Sequence, residues 1–147
     1  MTFLLDVNVL IALIDPDHVD HQIAHRWFET KGSDGWATCP IVENGAIRIL
    51  GNPGYSLGGV TSSTAEIAAL LHDLRTMPGH LFWPDDVSLL DADLIDLGAV
   101  LGSRQITDIY LLALAVRHGG QLASFDRRLN ASAVRNGAAA LHVIARG

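Results

Sequence analysis

The sequence is short of lysine, cysteine, positive net charge and long apolar runs, and each shortage removes a class of function. Sixteen Asp and Glu outnumber ten Lys and Arg, leaving a formal net charge of −6 over 147 residues. A chain charged in this way has no broad basic face with which to coat nucleic acid, so any contact with RNA must be local. Lys31 is the only lysine, and the other nine basic residues are Arg. That bias suits bidentate phosphate contacts, and a nucleotide-composition bias of the genome explains it equally well. Cys39 stands alone, which excludes an internal disulfide and gives no sign of an oxidising compartment. The N-terminal apolar stretch, residues 3–14, is short and broken by Asp6 and Asn8, and no basic leader or small-residue cleavage site accompanies it. Membrane insertion and secretion are not expected, and the protein reads as cytoplasmic.

What is present is enough apolar sequence for a full core. Hydrophobic residues make up 49% of a one-domain length, and residues 1–147 are read as a single domain. The chain is organised around residues 106–126, ITDIYLLALAVRHGGQLASFD. Thr107 is expected to cap a helix with Asp108 in its first turn. Residues 109–116 carry no charge, so other elements should enclose this helix. His118, Gly119 and Gly120 stop it, and residues 122–125 form a short buried strand that ends in Asp126. Further strands are expected at 2–5, 36–39, 81–83 and 141–145. Helices are expected at 7–14, 18–30, 40–50 and 91–101, and from Ser63 or Thr64 to about Met77, where Ser63 and Glu66 make a capping box. Residues 51–63 read as an exposed loop. Strands alternate with helices throughout, which indicates a parallel α/β sandwich.

Four acids, Asp6, Glu43, Asp108 and Asp126, each interrupt apolar sequence: FLLDVNVLIAL, IVENGAI, ITDIYLL and ASFDRR. An ionised carboxylate in such a setting is costly unless it is paired or binds a metal. Three of them also fall where an open parallel sheet places its active crevice. Converging carboxylates must be relieved by protonation or by a cation, and oxygen-only ligands favour a hard ion, Mg²⁺ or Mn²⁺. Metal-dependent phosphodiester hydrolysis is the chemistry such a site suits. Taken singly, Asp6, Asp108 and Asp126 are explained as well by helix capping or by the helix dipole. Glu43 decides between these readings. It is expected inside a helix, away from its start and off any polar face, since Ile47 and Leu50 follow along the same side.

LLDVNVLIAL, IVENGAIRIL, TDIYLLALA and LASFDR resemble, in order and spacing, the four acidic motifs of PIN-domain ribonucleases. The resemblance covers nearly the whole chain and is closest to VapC-type toxins of bacterial toxin–antitoxin pairs. The segments GNPGYSLGG and DHVDHQIAHRWF also resemble one branch of those toxins. The resemblance implies a three-layer α/β/α sandwich with a five-stranded parallel sheet, and a Mg²⁺-dependent endoribonuclease. By position, Asp6, Glu43, Asp108 and Asp126 become the acidic cluster, with Asp6 and Asp108 the surest metal ligands. Asn8 and Thr107 match polar positions beside the metal. The family also implies a homodimer, silenced by a small VapB-like antitoxin whose tail enters the active groove.

Arg48, Arg104 and Arg127 are candidates to hold RNA phosphates or the antitoxin's carboxylates. His18, His21 and His25 share a possible helix face, but zinc sites usually recruit Cys or a second element. Trp27, Trp36 and Trp83 sit in apolar patterns that assign them to the core or to dimer contacts. A response-regulator receiver needs adjacent acids after its first strand and a late lysine, and here Val7 follows Asp6. A haloacid-dehalogenase-type phosphatase needs an aspartate where Asn8 stands. The remaining alternative is a catalytically silent PIN-fold module acting through a protein partner, and the intact acids argue against it.

Overall fold

Five short strands pair in one sheet: β1 (Phe3–Leu5), β2 (Trp36–Thr38), β3 (His80–Phe82), β4 (Gln121–Ser124) and β5 (Leu141–Val143). All neighbours run parallel, in the order β3-β2-β1-β4-β5, in a computed structural model that describes residues 1–146. Parallel neighbours need crossovers, and helices supply them. α1 (Val7–Ile14) and α2 (His21–Thr30) lead to β2, and α3 (Pro40–Leu50) and α4 (Thr64–Arg75) lead to β3. α5 (Ile106–Arg117) precedes β4, and the short α6 (Gly137–Ala140) precedes β5.

Side chains alternate across β1 and thereby divide the core. Phe3 and Leu5 face one apolar cluster with Val9 and Leu10 of α1, Trp27 and Phe28 of α2, and Ala46 and Leu50 of α3. Leu4 faces the other, with Leu122 of β4 and the whole run Ile109 to Ala115 of α5. Helices therefore cover both faces of an all-parallel sheet, the arrangement such sheets require. Trp27, Trp36 and Trp83 are all buried in these layers.

α5 ends where its glycines place the stop. Gly119 adopts φ +69°, and the Gly120 N–H donates to the Ala115 carbonyl at 2.9 Å. A Cβ on Gly120 would meet the Thr2 carbonyl oxygen at 2.5 Å, so the turn into β4 needs glycine there. The capping box of α4 is formed in full by Ser63 and Glu66.

Three sequence expectations are corrected. Residues 91–101 are not an α-helix but a series of turns with one 3-10 turn, Leu97–Ala99. Asp91 accepts from the Asp93 N–H at 3.1 Å and Asp96 from the Gly98 N–H at 3.0 Å. Aspartates that bond their own nearby backbone compete with the helix, and here the turns prevail. α2 begins at His21 rather than His18, because His18 Nδ1 accepts the Asp20 N–H at 3.0 Å and closes a turn. α5 begins at Ile106, after a 3-10 turn at Ser103–Gln105, so Thr107 lies inside the first turn and does not cap it. Among the described residues, no helix is long and apolar enough to cross a membrane.

Candidate active site

The sheet reverses direction of growth between β1 and β4. From β1 the chain adds β2 and β3 on one side, then crosses to place β4 and β5 on the other. The crevice outside the carboxyl ends of such a pair is where open α/β sheets bind ligands. Asp6 directly follows β1 and Asp126 lies just past β4.

Strand register sets the first contacts. Leu5 pairs with Ala123, which places Asp6 beside Ser124. The Ser124 hydroxyl donates to Asp6 Oδ2 at 2.9 Å, and Ser124 Oγ accepts the Asp126 N–H at 3.1 Å. One buried serine thus ties the two aspartates together. Asp6 is only 5% exposed and makes no side-chain cap bond to α1, so capping does not account for its carboxylate. Burial pushes its pKa up, the Ser124 hydroxyl and the Val7 N–H oppose that rise, and Asp126 adds repulsion.

Asp108 completes the group from the first turn of α5. Burial, then repulsion from Asp6 and from Asp126, raises its pKa from 3.8 to about 7. Three acids separated along the chain therefore act on one another in one place. Asp126 also closes a turn of its own, with Oδ1 accepting the Arg128 N–H at 2.8 Å.

Glu43 stands apart from this trio. It lies in the first turn of α3, which corrects the expectation that it sits away from a helix start. Pro40 opens that helix directly after β2 and so brings Glu43 to the same end of the sheet. Its Oε2 accepts the Thr38 hydroxyl at 2.6 Å, and Arg75 approaches at 3.4 Å. Glu43 is thus already paired, whereas no Arg or Lys pairs with Asp6 or Asp108 among the described residues.

Among the described residues, no three Asp, Glu, His or Cys side chains form a ready-made metal cage. A hydrated Mg²⁺ needs none, since it keeps several waters and binds through one or two carboxylates. Donor chemistry fits that ion: the trio is all oxygen, crowded and partly desolvated, and among the described residues neither Asp6 nor Asp108 has an Arg or Lys partner.

The other expected positions are distributed unevenly. Asn8 and Arg127 line a cavity of about 430 Å³ that Asp126 also borders. Thr107 is exposed next to Asp108, and Arg104 is exposed on the 3-10 turn that precedes α5. Arg48 occupies the last turn of α3, roughly 12 Å along the helix axis from Pro40 at 1.5 Å per residue. It lies away from the acids, beside Asn52 and Tyr55. His21 and His25 contact the Ala12 and Leu13 carbonyls at 2.7 and 3.0 Å, so both imidazoles are engaged in packing α2 on α1. The Cys39 thiol is buried and pushed up to about 12, which makes it a poor nucleophile.

Sequence reasoning missed Ser124, Thr38 and Arg75. Ser124 was within sight in LASFDR, two residues before Asp126, but its tie to Asp6 exists only through the β1–β4 register.

The PIN domain family pattern matches residues 3–134 of this chain. Ribonuclease VapC39 of Mycobacterium tuberculosis (strain ATCC 25618 / H37Rv) is 49% identical over 133 residues, which cover 90% of this chain and 94% of that protein. Ribonuclease VapC44 of the same strain is 42% identical over 134 residues, 91% of this chain and 92% of its own. Ribonuclease VapC38 of that strain is 42% identical over 123 residues, 84% of each. With the family pattern spanning most of its length and relatives this similar along nearly all of theirs, the chain belongs to the PIN-domain family, on the branch that holds these VapC proteins.

Proposed function

We propose that this protein is a Mg²⁺-dependent endoribonuclease, the toxin of a type II toxin–antitoxin pair, with Asp6, Asp108 and Asp126 as the core of its active site. The observation that carries the proposal is the convergence of these three carboxylates at the sheet's switch point, where burial and then repulsion from Asp6 and Asp126 lift Asp108 to about 7, and no Arg or Lys among the described residues pairs with Asp6 or Asp108. The relatives support the class of reaction, because each bears the name ribonuclease.

Asp6 and Asp108 are the residues that would hold the ion, with Asp126 beside them and Glu43 at the flank. Mn²⁺ has the same preference for oxygen and would substitute. When bound, the ion supplies the positive charge that makes water nucleophilic at neutral pH and that offsets charge gathering on the phosphate. Ser124 orients Asp6 and favours its ionised form against the effect of burial. α5 and β4 fix Asp108 and Asp126 rigidly, which preserves the alignment an in-line displacement needs. Asn8 and Thr107 add polar contacts at the rim. The working form is read as a homodimer of single-domain subunits, inhibited by a small VapB-like antitoxin.

The test is cleavage of RNA by protein purified free of any partner. Activity should require Mg²⁺ or Mn²⁺, vanish with chelator, and fall below about one-thousandth in Asp108→Asn, as for loss of a group acting directly on the developing charge. Folded protein that binds a partner but cuts no RNA at any divalent-ion concentration would assign it to the silent binding modules.

A further inference from the structure

The chain carries few cations, yet three of its nine arginines gather on one cavity. That cavity, of about 430 Å³, is lined by Asn8, Phe125, Asp126, Arg127, Arg128 and Arg146. Among the described residues that line it, Asp126 is the only acid beside three arginines, although Asp20 pairs with Arg146 from outside the lining, in a protein of net charge −6.

The placement of Arg146 is specific. Its Nε donates to both carboxylate oxygens of Asp20 at 3.1 and 3.2 Å, and its Nη2 donates to Oδ2 at 3.1 Å. The guanidinium also lies over the Phe125 ring, 4.9 Å from its centroid. Asp20 is 5% exposed, and Arg146 is its only salt-bridge partner among the described residues. Among those residues nothing accepts from Nη1 of Arg146, and its side chain remains 57% exposed. One edge of the guanidinium is anchored and another is left to a ligand. Arg127 is exposed and makes no ion pair among the described residues, while Arg128 reaches Asp126 only at 3.8 Å.

We infer that Arg127, Arg128 and Arg146 form a phosphate-binding subsite of the RNA groove, adjoining the acidic trio through Asp126, with Asp20 and Phe125 as the residues that position Arg146. The inference rests on the ribonuclease reading above and adds to it where the backbone next to the scissile bond is held. Phosphate is favoured because forked guanidinium donors match its oxygens, and because an anionic protein needs a local cationic contact to retain RNA. The structural alternative, a clasp that merely ties residues near 146 to the start of α2, accounts for the Asp20 pair. It does not account for Arg127 and Arg128 on the same cavity.

The experiment compares Arg127→Ala, Arg146→Ala, Arg146→Lys and Asp20→Asn with the parent, using a short fluorescent single-stranded RNA in Mg²⁺. KM should rise roughly tenfold for each alanine variant while kcat stays within about twofold, as for loss of a charged hydrogen bond made equally before and during reaction. Arg146→Lys should recover part of that loss, and Asp20→Asn should raise KM with its own arginines intact. In an Asp108→Asn background, each alanine should flatten the dependence of log affinity on log salt by about 0.7. Thermal melts identify any variant that loses its fold, and Arg127→Ala, which removes no side-chain hydrogen bond or ion pair among the described residues, carries the test in that event. KM and salt slope unchanged in a parent that cleaves RNA would overturn the subsite and leave the ribonuclease intact. A parent that neither binds nor cleaves RNA would overturn the underlying function instead. Unchanged RNA affinity, with binding lost to the product of an adjacent small reading frame, would give these arginines to the protein partner and also overturn the subsite.

Discussion

Asp108 is the residue on which the charge balance of the site turns. Its pKa of about 7 against 3.8 means that the folded chain holds this proton more tightly than the unfolded chain does. Stability from that source is complete below 3.8 and is lost as the pH rises through about 7. Above that window the metal-free protein bears the cost of the ionised group. Asp108→Asn keeps the shape and removes the charge, so it should abolish cleavage while making the metal-free protein more stable at about pH 8. The gain should be roughly 1–2 kcal/mol, well under the full shift because the group is partly exposed. Melting both proteins in chelator at about pH 4 and about pH 8 checks this; the difference should be small at the lower pH, grow through the window and reach full size at the higher pH. Ser124→Ala makes the complementary case, since it removes both the donor to Asp6 and the acceptor for the Asp126 N–H. The Mg²⁺ concentration for half-maximal activity should rise roughly ten- to hundredfold, the usual effect of losing a partner behind a metal ligand. Asp6, Asp108 and Asp126 were legible in the sequence because each breaks an apolar run at the end of a strand or the start of a helix. The surroundings were not: Ser124 meets Asp6 across 118 positions and Arg75 meets Glu43 across 32, and no local pattern encodes either contact.

At the scale of elements, period and punctuation carried most of the fold. Uncharged residues from Ile109 to Ala115 mark a helix enclosed on all sides, and each of them is buried. Leu111 and Leu112 are fully buried, so Leu111→Ala should cost about 2–5 kcal/mol, measured by denaturant unfolding. Ser63 and Glu66 announced the start of α4 and do form its capping box, with the Glu66 N–H donating to Ser63 Oγ at 3.1 Å. Ser63→Ala should cost about 1 kcal/mol and lower Tm by roughly 2–4 °C without affecting cleavage. The expected helix at 91–101 failed for a reason of the same kind. DADLIDLGAV has helical spacing of its apolar residues, but Asp91 and Asp96 each bond a backbone N–H two residues ahead. Periodicity reports which residues face the core, and it does not report when a side chain offers the backbone a better local partner.

For the whole molecule, topology joins these parts. The order β3-β2-β1-β4-β5 puts β1 in the centre and makes β4, the latest strand but one, its direct neighbour. An acid from the start of the chain thereby meets acids from its last third, and the fold stores their repulsion rather than avoiding it. A protein of net charge −6 that concentrates carboxylates in this way should gain stability from any cation bound at that point. Mg²⁺ at about a hundred times its dissociation constant should contribute about 2.7 kcal/mol, a rise in Tm of several degrees. Chelator should reverse the rise. The same Mg²⁺ concentration should leave Asp6→Asn/Asp108→Asn nearly unmoved, because the double variant has lost both the repulsion to be relieved and two of the oxygens that relieve it. Monovalent salt at matched ionic strength separates binding from screening, since screening would act on parent and variant alike. A rise in Tm that persisted in the double variant would locate the ion elsewhere and detach the stored repulsion from metal binding.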